Sequence, residues 1–266
     1  MTDHDDFNMA YFDTFNPPAL FLIHGFPLNM AIWQPQVEDL DDIVRIIAPD
    51  LRGHGQSTVT PPPYTIAQLA TDCIDLLDLL GIDNAIFCGH SMGGYIAFEL
   101  WRQYPERVAG LILNATRAAA DDQQAKSNRD KMIATVEKKG VEPVAKTLSR
   151  KLLDPTTYDI DPDLAEELED IMLEADPNGV IGSLAAMRDR PDSMDTLATI
   201  TVPTLVIHGR DDQIVPHKEA EAMAAAIPNA EFVTIDHAGH MPHLEQPGEF
   251  NTAVYNFIER VKELYD

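Results

Sequence analysis

The chain has 266 residues, of which 45% are hydrophobic and 24% charged, a composition typical of a soluble globular protein. Its 44 acidic and 19 basic residues give a formal net charge of -25, which argues against nucleic acid and anionic membranes as partners. Two cysteines imply no disulfide framework, and no apolar run approaches the ~18 residues that span a bilayer. The acidic N-terminus, residues 1–6, precedes no apolar signal segment, so we expect a cytoplasmic protein.

Strand and helix patterns alternate through the first half of the chain. Short apolar runs predict strands at 9–15, 19–24, 43–48, 84–88 and 108–113. Helical patterns lie between them. One carries Trp33 and Leu40 on the same face, and another begins at Thr65, with Gln68 placed for a capping box, and ends at Gly81. The alternation predicts a parallel sheet with right-handed crossovers.

The alternation stops between residues 116 and 196, where the patterns are helical. Asp161 and Asp176 each precede a proline, which is the arrangement of an N-cap followed by proline at the first helical position. Strand patterns resume at 203–208 and 230–235, and a helical pattern follows each of them. The middle of the chain is therefore an all-helical insertion into an α/β fold.

We predict an α/β core domain formed by residues 1–115 and 197–266, with a mostly parallel sheet flanked by helices. Residues 116–196 form a helical cap subdomain in this prediction, inserted after the strand that follows the Ser91 helix. At that point of the chain the insertion would cover the C-terminal edge of the sheet. The alternative is that these are ordinary surface helices on the flank of the sheet.

A glycine-flanked serine lies between the strand at 84–88 and the next helix, in the pattern Gly89-x-Ser91-x-Gly93. A serine that attacks a carbonyl must project from a tight turn. Glycines permit that turn because a Cβ would collide with the neighbouring strand or helix. The pattern alone also fits a glycine-rich turn in which Ser91 only caps the helix.

Acidic and histidine residues follow two later strands, so the loops after three strands carry Ser91, Asp212 and His240. In a parallel sheet the C-terminal ends of all strands lie at one edge, so we expect these loops to converge there. His240 would take the proton from Ser91, and an acid would hold the imidazole in the required tautomer. Asp211 competes with Asp212 for the role of that acid.

The turn around Ser91 resembles the nucleophile elbow of the α/β-hydrolase family, and residues 20–258 outside the cap share the resemblance. The segment 209–216 is similar to the family's Gly-x-x-Asp followed by x-Ile-Val-Pro, which implies Asp212 as the acid. The family's Ala-Gly-His matches residues 238–240 and implies His240 as the base. His237 and His243 are the other candidates for the base. The spacing of these histidines, in a loop that contains glycine and proline, gives no convincing metal site.

The resemblance also implies an oxyanion hole. The backbone N–H of Met92, directly after the nucleophile, is implied as one donor. The second donor implied is the N–H of Phe26, because His24-Gly25-Phe26-Pro27 is similar to the family's loop after the early strand. His24 is expected to be a structural partner of that loop. Three further residues are candidates for the substrate pocket, although each is also a common core residue: Trp33, Tyr95 and Met241.

Within the family, a serine nucleophile argues against epoxide hydrolases and haloalkane dehalogenases, which use aspartate. The body looks like small bacterial carboxylesterases and enol-lactonase-like hydrolases, and this implies hydrolysis of a small ester or lactone without a cofactor. Two alternatives stay open: a cofactor-free perhydrolase or haloperoxidase-like activity on the same triad, and non-catalytic ligand binding on the same fold. The sequence leaves the oligomeric state open between monomer and homodimer.

Overall fold

The structure is a computed structural model that describes residues 7–14 and 18–265. The acidic residues 1–6, and residues 15–17 at the end of the first predicted strand and after it, lie outside the described residues. Within the described part of the chain, strands run over β1 (Tyr11–Asp13), β2 (Ala19–Ile23), β3 (Arg45–Pro49), β4 (Ala85–His90), β5 (Val108–Asn114), β6 (Thr204–Gly209) and β7 (Glu231–Ile235). They form one sheet in the order β1-β3-β2-β4-β5-β6-β7.

The sheet is parallel except at one edge, where β1 pairs with β3 in the antiparallel direction. Every residue of β2, β4, β5 and β6 is buried. Strands that are apolar on both faces need layers of helices on both sides, because neither face can be left in water. The parallel sheet predicted from the alternation is confirmed.

Helices flank the sheet and form the insertion. They are α1 (Gln34–Leu40), α2 (Ile66–Leu79), α3 (Met92–Gln103), α4 (Gln123–Lys139), α5 (Glu142–Leu152), α6 (Thr157–Ile160), α7 (Pro162–Leu173), α8 (Pro177–Asp189), α9 (Met194–Leu197), α10 (His217–Ala226), α11 (Pro242–Glu245) and α12 (Pro247–Tyr265). Short 3-10 helices cover Met30–Trp33 and Pro105–Arg107. The helices α4 to α9 lie between β5 and β6, so the predicted helical insertion is confirmed.

Local capping explains where several of these helices begin and end. The Thr65 side chain accepts a hydrogen bond of 3.0 Å from the Gln68 N–H at the start of α2, and Gly81 follows its end with a φ of +65°. Asp161 caps α7 and Asp176 caps α8, each through a side-chain oxygen that accepts a backbone N–H. The predicted N-caps are therefore confirmed.

The insertion contacts the core through glycines of α8. A Cβ on Gly179 would overlap the backbone carbonyl of Gly53 in the loop after β3, and a Cβ on Gly182 would lie 2.5 Å from the Tyr64 ring. Such close approach is possible only without side chains. The helix α8 is thereby placed against the loop that follows β3. The domain boundaries at 115/116 and 196/197 stay a prediction.

No helix in the described residues is long and apolar enough to cross a membrane. Cys73 and Cys88 are both buried and both free, as expected of small core residues. Burial raises the pKa of both thiols above the usual range. Neither cysteine is thus a reactive thiolate at neutral pH.

Candidate active site

Ser91 forms the turn between β4 and α3 in a conformation that non-glycine residues rarely adopt. Its φ is 51° and its ψ is -108°, a backbone state that costs on the order of 1–3 kcal/mol. Side chains are excluded on both sides of it. A Cβ on Gly89 would overlap the Gly93 carbonyl, and a Cβ on Gly93 would overlap the Ile23 carbonyl in β2. The two glycines thus let the turn close against the neighbouring strand.

The backbone of Ser91 is held by the end of β5. Its N–H donates a hydrogen bond of 2.9 Å to the Asn114 carbonyl. Its own carbonyl accepts from the Thr116 hydroxyl at 2.7 Å and from the Gly94 N–H at 3.0 Å. These contacts stabilise a turn that is unfavourable for serine by itself, as is common where backbone strain serves a site.

Asp212 and His240 meet directly in the structure. The Nδ1–H of His240 donates to Oδ2 of Asp212 at 2.8 Å, and the side chains are 3% and 0% exposed. The other carboxylate oxygen, Oδ1, accepts from the N–H groups of Ile214 at 2.7 Å and Val215 at 2.9 Å. The carboxylate is therefore fixed by the backbone on one side and oriented toward the imidazole on the other.

The charge state of Asp212 follows from its surroundings. Burial acts to raise its pKa, but the charge and hydrogen bond of His240, with smaller contributions from His208 and the Val215 N–H, outweigh burial and lower the pKa below the ordinary value. Asp212 is consequently a carboxylate at neutral pH. A buried carboxylate that accepts Nδ1–H fixes the tautomer in which Nε2 of His240 is free to accept a proton.

Asp211, the rival acid, lies outside this pair. It is exposed, and its carboxyl group hydrogen-bonds the carboxylate of Asp154 in the insertion. Burial and the adjacent Asp154 charge raise the pKa of Asp211. Its contact with the insertion was not expected from the sequence, which indicated only a solvated neighbour of the triad acid.

The rival histidines also lie elsewhere. His237 is exposed, with a φ of +55°. His243 is buried and its Nδ1 accepts from the Asn114 side-chain amide at 3.0 Å. Burial lowers the pKa of His243 to about 3, so it is neutral at physiological pH. Of these three histidines, His240 is the one that contacts Asp212.

The loop after β2 approaches the elbow from the other side. A Cβ built on Gly25 would lie 3.3 Å from Cβ of Ser91 and 2.6 Å from Cδ2 of His90. The His90 ring in turn lies 4.9 Å from the His240 ring, centroid to centroid. The loops that carry Phe26, Ser91 and His240 therefore converge at the C-terminal edge of the sheet.

Two backbone donors are available beside Ser91. The N–H of Met92 belongs to the first turn of α3, where helix geometry leaves N–H groups without intrahelical acceptors and the helix dipole is positive. Phe26 follows Gly25 directly, and its bond to Pro27 is cis. Their joint role as an oxyanion hole stays a prediction.

The loop that carries Phe26 is anchored by two buried side chains. His24 accepts from the Leu51 N–H at Nε2, at 2.9 Å, and its Nδ1–H donates to the Gly25 carbonyl at 2.9 Å. Burial lowers the pKa of His24 to about 4, which keeps Nε2 able to accept. Asp50 accepts from the Met30 N–H at 2.8 Å. His24 thus has the structural position that the sequence indicated.

The predicted pocket residues are all buried. Trp33 is fully buried, and its ring lies 4.5 Å from that of His243. The Cζ atom of Arg190 lies 4.1 Å from the centroid of the Tyr95 ring. Met241 is fully buried. Contact of these residues with a substrate stays a prediction.

His208 supports the acid and was missed by sequence reasoning. Its Nε2–H donates to the Val215 carbonyl at 2.9 Å and lies 3.4 Å from Oδ2 of Asp212. Burial lowers its pKa. The available signal was a polar residue near the C-terminal end of an otherwise apolar strand, β6, at the edge where the loops of Ser91, Asp212 and His240 meet.

Comparison with known proteins shows the family of the chain. The sequence profile described as the alpha/beta hydrolase fold matches residues 18–247. The chain belongs to the α/β-hydrolase family. Within the family it is 32% identical over 253 residues to 3-oxoadipate enol-lactonase 2 of Acinetobacter baylyi, covering 95% of this chain and 93% of the lactonase.

Solved α/β-hydrolase structures superpose over almost the whole chain. A thermophilic esterase from Thermogutta terrifontis, solved with malate bound, is 39% identical with a TM-score of 0.94, covering 96% of this chain and 94% of the esterase. The enol-lactonase from Burkholderia xenovorans LB400 is 26% identical with a TM-score of 0.89, covering 95% and 97% of the two chains. Both superpositions therefore include the helical insertion as well as the core.

Proposed function

We propose that this α/β-hydrolase cleaves a carboxylic ester or a lactone through an acyl-enzyme on Ser91. The observation that carries the proposal is the buried 2.8 Å hydrogen bond from His240 to Asp212 in loops that converge on the Ser91 elbow. An imidazole held in this way is a general base for a hydroxyl group, and the constrained elbow presents that hydroxyl outside its own helix.

In the proposed reaction Oγ of Ser91 attacks the substrate carbonyl while Nε2 of His240 accepts the serine proton. The resulting imidazolium is stabilised by the Asp212 carboxylate. The tetrahedral intermediate expels the alkoxide, which takes the proton back from His240 and leaves as the alcohol. Water then attacks the acyl-enzyme, His240 again accepts the proton, and the carboxylic acid is released with Ser91 regenerated.

The negative charge of each tetrahedral intermediate would be met by the N–H groups of Phe26 and Met92. Both are backbone donors, one at the start of α3 and one in the loop anchored by His24, so no reorganisation of side chains is needed when the charge develops. The dipole of α3 adds a positive potential at the Met92 end. One donor of this kind contributes about 3 kcal/mol to the barrier of acyl transfer.

Ester and lactone substrates follow the same steps and differ in the fate of the alcohol. With an ester the alcohol leaves, whereas with a lactone it stays attached to the acyl group and the product is a single hydroxy acid. The enol-lactonase and esterase relatives support both classes for this chain.

The proposal is tested with p-nitrophenyl esters from acetate to decanoate and with aliphatic lactones. Wild type is compared with Ser91→Ala and with Ser127→Ala, a serine in helix α4 of the insertion. We expect turnover by wild type and Ser127→Ala and background rates for Ser91→Ala. Turnover that survives in Ser91→Ala would contradict the acyl-enzyme.

A second outcome concerns peroxide. The same serine, histidine and aspartate would serve a perhydrolase, in which hydrogen peroxide replaces water as the second nucleophile. If peracid accumulates from acetate and hydrogen peroxide while the esters stay intact, the enzyme uses peroxide as the second nucleophile in place of water. Saturable lactone or ester binding without any turnover would instead indicate a ligand-binding protein.

A further inference from the structure

The backbone of the insertion lies directly against the loop that carries His240. The N–H of His240 donates to the Leu152 carbonyl at 2.7 Å. A Cβ on Gly239 would lie 2.5 Å from the carbonyl carbon of Leu153, so the two backbones touch with no side chain between them. The end of α5 therefore forms one wall of the histidine loop.

One carboxylate joins the loop of His240 to the insertion where the two backbones touch. Oε1 of Glu245, in α11, accepts from the N–H of Gly239 at 2.7 Å and of Met241 at 3.4 Å. Oε2 accepts from the Asp154 N–H at 2.6 Å and from the Thr157 hydroxyl at 2.8 Å. One oxygen thus serves the histidine loop and the other serves the insertion.

The contacts of Glu245 hold the residues on either side of His240. Because Gly239 and Met241 share one acceptor, the backbone between them has little freedom to rotate the imidazole away from Asp212. Burial raises the pKa of Glu245, while hydrogen bonds from Asp154, Thr157 and Gly239 oppose that rise. The donors are backbone N–H groups and a hydroxyl, so the carboxylate is satisfied by dipoles where the two backbones touch.

We infer that Glu245 is a positioning residue that clamps the His240 loop to residues 152–157 of the insertion. That stretch of the insertion is then a fixed wall of the active site, and it does not move away as a lid between turnovers. Loss of the clamp leaves the chemical groups in place but loosens the geometry of the base. The catalytic part of this inference rests on the function proposed above.

The replacement Glu245→Gln separates the two sides of the clamp. Glutamine has nearly the same shape but only one acceptor oxygen, so it can serve the histidine loop or the insertion, and its NH2 group then faces N–H donors on the other side. Glu245→Asp keeps the charge but is one methylene shorter and cannot span both. Thr157→Val removes a single donor on the insertion side. Glu263→Gln, at an exposed position in α12, is the matched control.

We expect kcat of Glu245→Gln to fall by ~10- to 100-fold with little change in KM, because misplacement of a catalytic group acts on the chemical step. Glu245→Asp should not restore the rate, Thr157→Val should be intermediate, and Glu263→Gln should match wild type. Rates are taken per active site, titrated with a fluorophosphonate well below the melting temperature. A structural role alone would lower the melting temperature and leave kcat per active site unchanged.

Two readouts do not depend on turnover. Hydrogen exchange should accelerate in Glu245→Gln within peptides covering 152–158 and 237–246 together, and nowhere else by a comparable factor. The downfield proton NMR signal of the His240 Nδ1–H, bonded to Asp212, should broaden or shift in the same variant. Unchanged exchange and an unchanged proton signal overturn the inference, whether or not the enzyme turns over esters. Changes in both with an inactive wild type support the clamp and refute the proposed function.

Discussion

Asp212→Asn is the replacement for which the structure predicts the largest effect at constant shape. Oδ1 accepts two backbone N–H groups, from Ile214 and Val215, so the amide oxygen of asparagine must stay on that side. The NH2 group then faces Nδ1 of His240, at the 2.8 Å position now occupied by Oδ2. It can only donate, so Nδ1 must become the acceptor and the proton moves to Nε2.

A proton on Nε2 would remove the base that we propose for Ser91. The loss of the correct tautomer in a Ser-His-Asp triad lowers kcat by about 10⁴-fold, which corresponds to ~5 kcal/mol in the barrier. The assay is the kcat/KM of p-nitrophenyl acetate from pH 6 to 9 for wild type and Asp212→Asn. The fold itself should survive, because the backbone contacts of Oδ1 are retained.

Asp211→Asn is the matched control for that experiment. The Asp211 carboxyl contacts Asp154, and an asparagine amide can donate to the same carboxylate, so activity should stay near that of wild type. The assignment of the acid is refuted if Asp212→Asn keeps activity within about tenfold of wild type. A fall of Asp211→Asn to the same level would refute it equally.

Three further predictions concern stability and the elbow. Burial lowers the pKa of His24 to about 4 and the pKa values of His54 and His243 to about 3. It also lowers the pKa of His90 and of His208. The unfolded chain binds protons that these buried rings do not. The free energy of unfolding should therefore fall by about 1.4 kcal/mol per pH unit per histidine as pH drops from 6.5 toward 4. Urea titrations that give the same free energy of unfolding at every pH would contradict this. Gly179→Ala should lower the melting temperature and loosen α8, because its Cβ overlaps the Gly53 carbonyl; calorimetry showing an unchanged transition would exclude that packing. Thr116→Val should cost about 1 kcal/mol of stability and lower kcat by removing the hydroxyl bonded to the Ser91 carbonyl, and a variant identical to wild type in chemical denaturation and kcat would show that the hydroxyl does not hold the turn.

The fold was predictable from the sequence because its information is local and periodic. The apolar strands, the proline-marked N-caps at Asp161 and Asp176, and the glycines around Ser91 each follow from short stretches of chain. A meeting of an acid and a histidine was also predictable, since loops after parallel strands must converge at one edge. The choice of Asp212 and His240 for that pair came from the resemblance to the family.

The support around Asp212 and His240 was not predictable, because it depends on where the insertion packs. Glu245 accepts from Asp154 across 91 positions of sequence, and no local pattern indicates that its carboxylate is turned inward. The same applies to the contact of Asp211 with the insertion. From the sequence, a glutamate in a four-residue helix is expected to be exposed to solvent. Only the packing of residues 152–157 against it shows that it is not.

The central claim is that Ser91 is the nucleophile of a serine hydrolase, and covalent labelling tests it most directly. Wild type and Ser91→Ala are treated with a fluorophosphonate and with p-nitrophenyl acetate at low pH, and intact mass and peptide mapping follow. The account predicts one phosphonyl adduct per chain, on the peptide that contains Ser91, and a trapped acetyl group at the same residue. An unlabelled wild type, or equal labelling of Ser91→Ala, would contradict it.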